Sequence, residues 1–497
     1  MSENSWPENA SSREPEYSSI EFNGVDLGET LALDRDSDGD YGDYFDPFDP
    51  SPLDDGFEGR RLKSAFLLTG VWGSIYLLHT LTIGLWVVMG VSSLMAIHML
   101  RAFFAQPTLA VRQPLKIDGQ TADSLPMVTL LVSAKNEEAV IEGLVRNLCQ
   151  LEYPSHRYEL WIVDDASNDR TPEILQSLQK EFSQLNVFCR RPGATGGKSG
   201  ALNQVFSQTK GEFLVVFDAD ARIAPDFLQK SLPVFLENHR VGALQLRKAI
   251  AQAEIPHSAD AHNFWVKGQH AEMLLDAFMQ QQRIAIGGLG ELRGNGQFVR
   301  RSALIECGGW NEETITDDLD LTFRLHLNQW DIQCLTSPCV YEEGVTTAKA
   351  LWHQRNRWGE GGYQRYLDYW RFILRNRMGR SKTTDLAVFW MMQYFMPTAA
   401  IPDFVLAMKY QHGLVLTPLS LLTFVFFVAS TTRGIQRRAL SQAQTDLSLT
   451  DWGKATIQAL QGFAYMMHWF AIIATVTIRM AIVPKRLKWV KTIHTGH

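Results

Sequence analysis

Glu212-Phe213-Leu214-Val215-Val216-Phe217-Asp218-Ala219-Asp220 is the stretch on which the reading of this chain turns. An unbroken apolar run ends abruptly in two carboxylates one residue apart. A short run of this kind reads as a strand buried on both faces, as in a parallel sheet. Ligands of open α/β sheets lie off the carboxyl ends of the strands, where Asp218 and Asp220 fall. Two acidic side chains there repel each other unless a cation lies between them or one takes up a proton. Oxygen-only ligation with room left for phosphates suits Mg²⁺ or Mn²⁺, so the stretch predicts a metal–diphosphate site. The competing reading is a strand followed by an Asx turn.

Outward from this stretch, residues 125–345 alternate short apolar strands with amphipathic helices. That pattern predicts an α/β domain with a mostly parallel sheet. Val128–Val132, Tyr158–Val163, Asn186–Cys189 and Phe213–Phe217 are its first four strands. Glu137–Cys149 and Pro172–Phe182 read as helices, the second capped by Asn168 or Asp169. Gly193-Ala194-Thr195-Gly196-Gly197-Lys198-Ser199 is one residue short of a P-loop, which argues against an ATPase. A Gly-rich turn with a Lys, followed by a helix over Gly200–Gln208, still offers a diphosphate an ammonium and a helix N-terminus. Residues 258–281, with Trp265, His270, Met273 and Phe278, read as a core helix, with an interfacial or acceptor-side element as the competing reading. Further acidic clusters occur at Asp164-Asp165 and at Thr316-Asp317-Asp318, the latter opening a helix.

The flanks are of another kind. Residues 64–100 are almost uniformly apolar, with Arg60, Arg61 and Lys63 before them and Arg101, Arg112 and Lys116 after. This predicts a transmembrane hairpin with both ends cytosolic. Residues 345–380 are basic and aromatic, which suits a helix lying in a membrane interface. Nucleic-acid binding is the competing reading, and the adjoining apolar spans argue against it. Three apolar stretches close the chain, at 386–408, 414–430 and 455–483, and the first, with Pro397, Pro402 and Asp403, is expected to be broken or re-entrant. Boundaries follow: an acidic disordered tail over 1–60, the hairpin over 61–105, the α/β domain over 120–345, the interfacial segment over 346–382, a membrane region over 383–484 and a basic cytosolic tail over 485–497.

The formal charge of −7 conceals an asymmetry. Residues 1–60 hold 17 acids against 3 basic residues, so the remaining chain is net positive and suited to an anionic substrate or membrane surface. Asp34–Asp40 imitates the start of an EF-hand, but the twelfth position is Phe45, which argues against calcium. Five scattered Cys have no zinc spacing and read as reduced, mostly buried thiols.

Taken as an ordered set, Asp164–Asp169, Asp218-x-Asp220, Thr316-Asp317-Asp318 and Gln354-Arg355-Asn356-Arg357-Trp358 resemble the motifs of the membrane-integrated family-two glycosyltransferases. The resemblance covers roughly residues 125–360 and implies a GT-A-type, Rossmann-like domain with flanking transmembrane and interfacial helices. It departs from the family's Thr-Glu-Asp only at Asp317. It implies an inverting mechanism with Asp318 as catalytic base and Asp218 and Asp220 on Mg²⁺ or Mn²⁺. Nucleotide-sugar contacts are implied for Glu137, Asp164, Asp165, Lys198, Asp218, Gln354, Arg357 and Trp358.

A narrower resemblance lies in Ser5–Asn9, Gly59-Arg60-Arg61 and Pro484–Thr492, which look like the cyanobacterial monoglucosyldiacylglycerol synthases. It implies UDP-glucose as donor, diacylglycerol as acceptor and the lipid bilayer as partner. Two alternatives stand beside it: a processive polysaccharide synthase, and a non-catalytic membrane scaffold that binds nucleotide sugar.

Overall fold

The computed structural model describes residues 59–107, 113–117, 122–254, 260–443 and 448–483. Residues 1–58 of the acidic tail, with its EF-hand-like segment, and the basic C-terminal segment lie outside the described residues.

Helices α1 (Arg60–Thr80) and α2 (Gly84–Phe103) form a hairpin ahead of the α/β domain. In that domain β1 (Val128–Ala134), β2 (Tyr158–Asp164), β3 (Leu185–Cys189) and β4 (Phe213–Phe217) pair in parallel, in the order β3-β2-β1-β4. Helices α3 (Ile141–Cys149), α4 (Thr171–Glu181) and α5 (Gly197–Phe206) alternate with them. β4 is buried along its whole length. Phe213, Val215 and Phe217 pack with Leu130 and Val132 in one core, while Leu214 and Val216 pack with Leu131 and Val163 in another. The two-residue period of a strand thus feeds a core on each face, as the apolar run predicts.

The second half of the sheet departs from the parallel expectation. It comprises β5 (Arg222–Ile223), β6 (Val241–Ile250), β7 (Gln297–Arg300) and β8 (Asp331–Glu342), and the full order is β3-β2-β1-β4-β7-β6-β8-β5. β7 runs antiparallel to both β4 and β6, so the sheet is mixed. The reversal comes at Gly294-Asn295-Gly296, where both glycines have positive φ. A Cβ on Gly296 would stand 2.4 Å from Val340 Cγ2, so the turn needs glycine for space as well as for conformation.

Helix α6 (Phe264–Ala285) starts six residues later than the sequence suggests, behind Asn263, whose side chain caps the Trp265 N–H. Next come α7 (Asp317–Leu327), α8 (Ala348–Leu374) and α9 (Arg380–Trp390). A π-helical turn, Met391–Phe395, joins α9 to α10 (Met396–Tyr410). α11 (Thr417–Ala443), α12 (Leu449–Met466) and α13 (His468–Ile482) complete the chain.

Among the described residues, three helical segments are long and apolar enough to cross a membrane: Gly84–Phe103, Thr417–Leu440 and Thr450–Ile482. α1, expected to be the first arm of a spanning hairpin, is not one of them. Its flanking cation Arg60 is buried and donates to Asp368 of α8 at 2.7 and 2.6 Å and to the Glu313 carbonyl at 2.9 Å. The stretch expected to be broken is interrupted at Met391–Phe395 and carries Pro402 inside α10. Its Asp403 carboxylate accepts from the backbone N–H groups of Val415 and Leu416, just before α11. The described cysteines form no disulfide, and Cys149, Cys307 and Cys334 are buried.

Candidate active site

The parallel strands end level with one another. Ala134 of β1 pairs with Asp164 of β2, and Val132 of β1 pairs with Phe217 of β4. The residues that follow, Lys135, Asp165 and Asp218, therefore converge on one edge of the sheet and line one cavity. Lys135 donates to the Asp165 carbonyl at 2.8 Å, and Arg190 holds the Asp165 carboxylate at 2.6 Å. Glu137 also lines the cavity, with its backbone N–H donating to Thr171 Oγ1 at 2.8 Å. Asp164 does not line it. Asp164 is buried and accepts the Ser167 hydroxyl, which fixes the turn after β2. In the fold its visible role is a supporting one.

Lys198 lies in the first turn of α5 and reaches Asp218 Oδ1 at 2.7 Å. Burial alone would lower the pKa of its ammonium; the charges of Asp218, Asp317 and Asp318 outweigh that and hold it above its ordinary value. The turn preceding α5 is a less open phosphate cradle than its sequence suggests. The Glu312 carboxylate lies 2.1 Å from where a Cβ on Gly196 would stand and 3.2 Å from one on Gly200. A diphosphate at that helix N-terminus would meet a like charge.

Asp220 is pushed up to about 7 by burial, by Glu342 and by Asp218. Its Oδ2 accepts from the Glu343 N–H at 2.8 Å, and Glu342 pairs with Lys248 at 3.1 Å. Carboxylates crowded in this way are short of positive charge, which is the electrostatic condition a divalent cation relieves. Among the described residues no three His, Cys, Asp or Glu side chains are placed to hold a metal by themselves. The donor set fits an ion bound by two carboxylates that takes its other oxygens from phosphate and water.

Asp317 and Asp318 open α7. Asp318 is pushed up to about 6 by burial and by the neighbouring charge of Asp317. Thr316, just before them, packs against α8 at Gly361, where an added Cβ would fall 2.3 Å from Thr316 Oγ1. Gln354, Arg357 and Trp358 of α8 complete this wall of the cavity. Burial lowers the Arg357 pKa, against the opposing pull of Asp218, Asp318 and Asp317. The Trp358 ring has the Arg355 guanidinium 3.8 Å and the Lys248 ammonium 4.9 Å from its centroid. Arg355 is itself held by Glu272 at 2.6 Å, and Glu272 accepts from Trp469 Nε1 at 2.9 Å.

The structure thus gathers Glu137, Asp165, Lys198, Asp218, Asp220, Asp318, Gln354, Arg357 and Trp358 around one cavity of about 1190 Å³ and leaves Asp164 behind it. It adds Lys248, Glu272 and Glu342, which motif spacing does not single out. Glu342-Glu343 ends the strand β8 as Asp218-x-Asp220 ends β4, so the same strand-end signal was available for it. Helix α6, for which the sequence favours core over an acceptor-side element, supplies Glu272, Met273 and Asp276 to the wall. Beyond the charged groups the cavity runs on between the apolar helices, where Phe389, Met396, Phe426, Phe463 and Phe470 line it.

Residues 126–361 match the model of a family described as glycosyltransferase like family 2. The chain is 50% identical over 497 residues to a beta-monoglucosyldiacylglycerol synthase of Trichormus variabilis, covering 100% of this chain and 99% of that protein. It is 51% identical over 439 residues to a protein of the same description from Synechocystis, covering 88% and 89% of the two chains. Among solved structures, a mannosyltransferase from Pyrobaculum calidifontis superposes with a TM-score of 0.50 at 17% identity, covering 80% of this chain and 98% of that one. Identity of this extent, over the whole length and with the motif set on one cavity, settles the kinship: the chain belongs to the family-2 glycosyltransferases and has their GT-A-like fold.

Proposed function

We propose that the protein transfers glucose from UDP-glucose to diacylglycerol with inversion, giving β-monoglucosyldiacylglycerol. The observation that carries this reading is the continuity of the cavity. Its charged end holds Lys198, Asp220 and Asp318, and its other end is walled by Phe and Met side chains of helices long enough to cross a bilayer. An acceptor with one hydroxyl and two acyl chains matches both ends. The full-length relatives named for this activity support the same substrates.

Asp318 takes the proton of the acceptor hydroxyl as that oxygen attacks the anomeric carbon from the face opposite the diphosphate. Lys198 and Arg357 offset the charge that develops on the departing UDP. Glu137, Asp165 and Gln354 line the donor side, and Trp358, fixed by Arg355, offers an apolar face to the sugar or the glycerol. Asp218 and Asp220 would hold Mg²⁺ or Mn²⁺, which when bound supplies further charge neutralisation to the diphosphate.

We place the protein in the membrane as a multi-pass chain with the catalytic domain cytosolic. The basic ends of two candidate spans turn back to that domain: Arg101 donates to the Ile286 carbonyl at 3.1 Å, and Arg437 donates to Gln282 at 3.1 Å. Cations on the domain side are what the positive-inside bias asks for.

The direct test supplies membranes containing the protein with labelled UDP-glucose, Mg²⁺ and diacylglycerol, then partitions the label between solvents. Label in a small organic-soluble lipid is expected. Label only in a large insoluble product would replace this reading with polysaccharide synthesis, and binding without turnover would replace it with a scaffold.

Two further outcomes follow from the site. Because a base must be ionised, kcat/KM falls as pH drops through the Asp318 pKa, raised here to about 6. Asp317→Asn removes the like charge and lowers that pKa. The acid limb of the pH–rate profile is therefore expected to move down by roughly half to one unit, and an unmoved limb would separate Asp317 from the base. Gly361→Ala forces Thr316 aside and Asp318 with it. A loss of roughly a hundredfold in kcat is expected, with UDP binding, read by calorimetry, retained; unchanged kcat would show that the α8–Thr316 contact does not position the base.

A further inference from the structure

Between α9 and α10 the helix is interrupted by a single π-helical turn, Met391–Phe395. Such turns recur at functional sites, because the extra residue moves side chains off the regular helical face. Gln393 sits mid-turn and lines the cavity. Its carboxamide oxygen is cut off from solvent, and among the described residues the carboxamide makes no side-chain hydrogen bond. Phe389, Met392, Met396 and Pro397 line the cavity beside it. The amide nitrogen is unpaired too but is not cut off from solvent, so its N–H is the end open to the cavity, and an N–H without a partner in such surroundings calls for an acceptor.

The depth of Gln393 identifies that partner. The hydroxyl of the next residue, Tyr394, lies 2.3 Å from where a Cβ on Gly362 would stand, and Leu319 Cδ1 lies 3.5 Å from the same point. Leu319 follows Asp318 directly. The π turn therefore packs against α8 at the level where α8 meets the start of α7. Phe389 and Met396, on either side of the turn in sequence, line the same cavity. An acceptor with its hydroxyl at Asp318 and its acyl chains among Phe426, Phe463 and Phe470 must have its ester groups in between.

We propose that the Gln393 carboxamide donates a hydrogen bond to an ester carbonyl of the lipid acceptor, and so favours acyl over alkyl glycerols. Gln393 is an acceptor-binding residue and takes no part in proton transfer. The assignment rests on diacylglycerol being the acceptor.

The test compares purified protein in vesicles containing diacylglycerol with vesicles containing a dialkylglycerol of equal chain length, which lacks the carbonyls. Wild type is expected to lose roughly fivefold to tenfold in kcat/KM on the ether lipid. Gln393→Leu is expected to lose a similar factor on the ester lipid and little more on the ether lipid, since the same bond cannot be lost twice. KM for UDP-glucose should not change. Gln393→Glu, equal in size but unable to donate once ionised, should behave as Gln393→Leu does. Equal use of both lipids by wild type, or losses that add, would overturn the assignment of Gln393 while leaving the lipid acceptor intact. A wild type that glucosylates neither lipid would overturn both.

Discussion

Asp318→Asn should lower the rate of glucosyl transfer by about 10²- to 10⁴-fold, the range a positioned general base contributes. UDP should still bind with its metal dependence intact. Asparagine keeps the size of Asp318 and its place at the start of α7, and removes only the group that can take a proton. Burial and the Asp317 charge make Asp318 a stronger base than an exposed aspartate, so the loss falls on the chemical step. The binding arm of the experiment is informative because Lys198 and the Asp218–Asp220 pair, the groups offered to the diphosphate, are untouched. Transfer at the wild-type rate would remove Asp318 from the base role; loss of UDP binding would make its role one of site assembly.

Asp220→Asn should act on the other half of the reaction. It removes a negative charge from the place where Asp218 and Glu342 already crowd it. Metal-dependent UDP affinity is expected to fall by at least roughly tenfold, and the residual binding should no longer respond to Mg²⁺ or Mn²⁺. A second readout separates this from misfolding. A carboxyl whose folded pKa is raised costs the fold stability once the pH exceeds the ordinary carboxylate range, because its ionised form is disfavoured there. The metal-free Asp220→Asn protein at neutral pH should therefore melt at the same temperature as wild type or higher. Lower melting together with lost binding would point to a structural role for Asp220, and unchanged metal-dependent binding would place the ion elsewhere.

The parts of this molecule legible in its sequence are those whose signal is local. β4 declares itself by five consecutive apolar residues, and its two core-facing sets follow from the period of a strand. Asp218, Asp220 and Asp318 declare themselves by standing at the end of a strand or the start of a helix. What was not legible depends on partners far away in the chain. Arg60 reads as a cation flanking the first apolar stretch until Asp368, 308 residues on, is found against it. Lys248 has no local motif and acquires meaning only beside Glu342 and Trp358. Asp164 reads with Asp165 as one motif, yet in the fold it is buried at the end of β2 and accepts the Ser167 hydroxyl, while Asp165 lines the cavity. The antiparallel β7 and the π turn at Gln393 are likewise tertiary outcomes, since neither a strand's direction nor a one-residue bulge in a helix changes the hydrophobic pattern that announces it.

On the proposed mechanism a glucosyl group passes, once and with inversion, from a nucleotide to a lipid lying in the same cavity. The most direct measurement reconstitutes the purified protein in vesicles containing diacylglycerol, supplies UDP-glucose and Mg²⁺, and determines the anomeric configuration and chain length of the product by NMR and mass spectrometry. A single β-linked glucose on intact diacylglycerol is the predicted result. An α-linked product would contradict the role given to Asp318, and a glucose polymer would contradict the role given to the apolar half of the cavity.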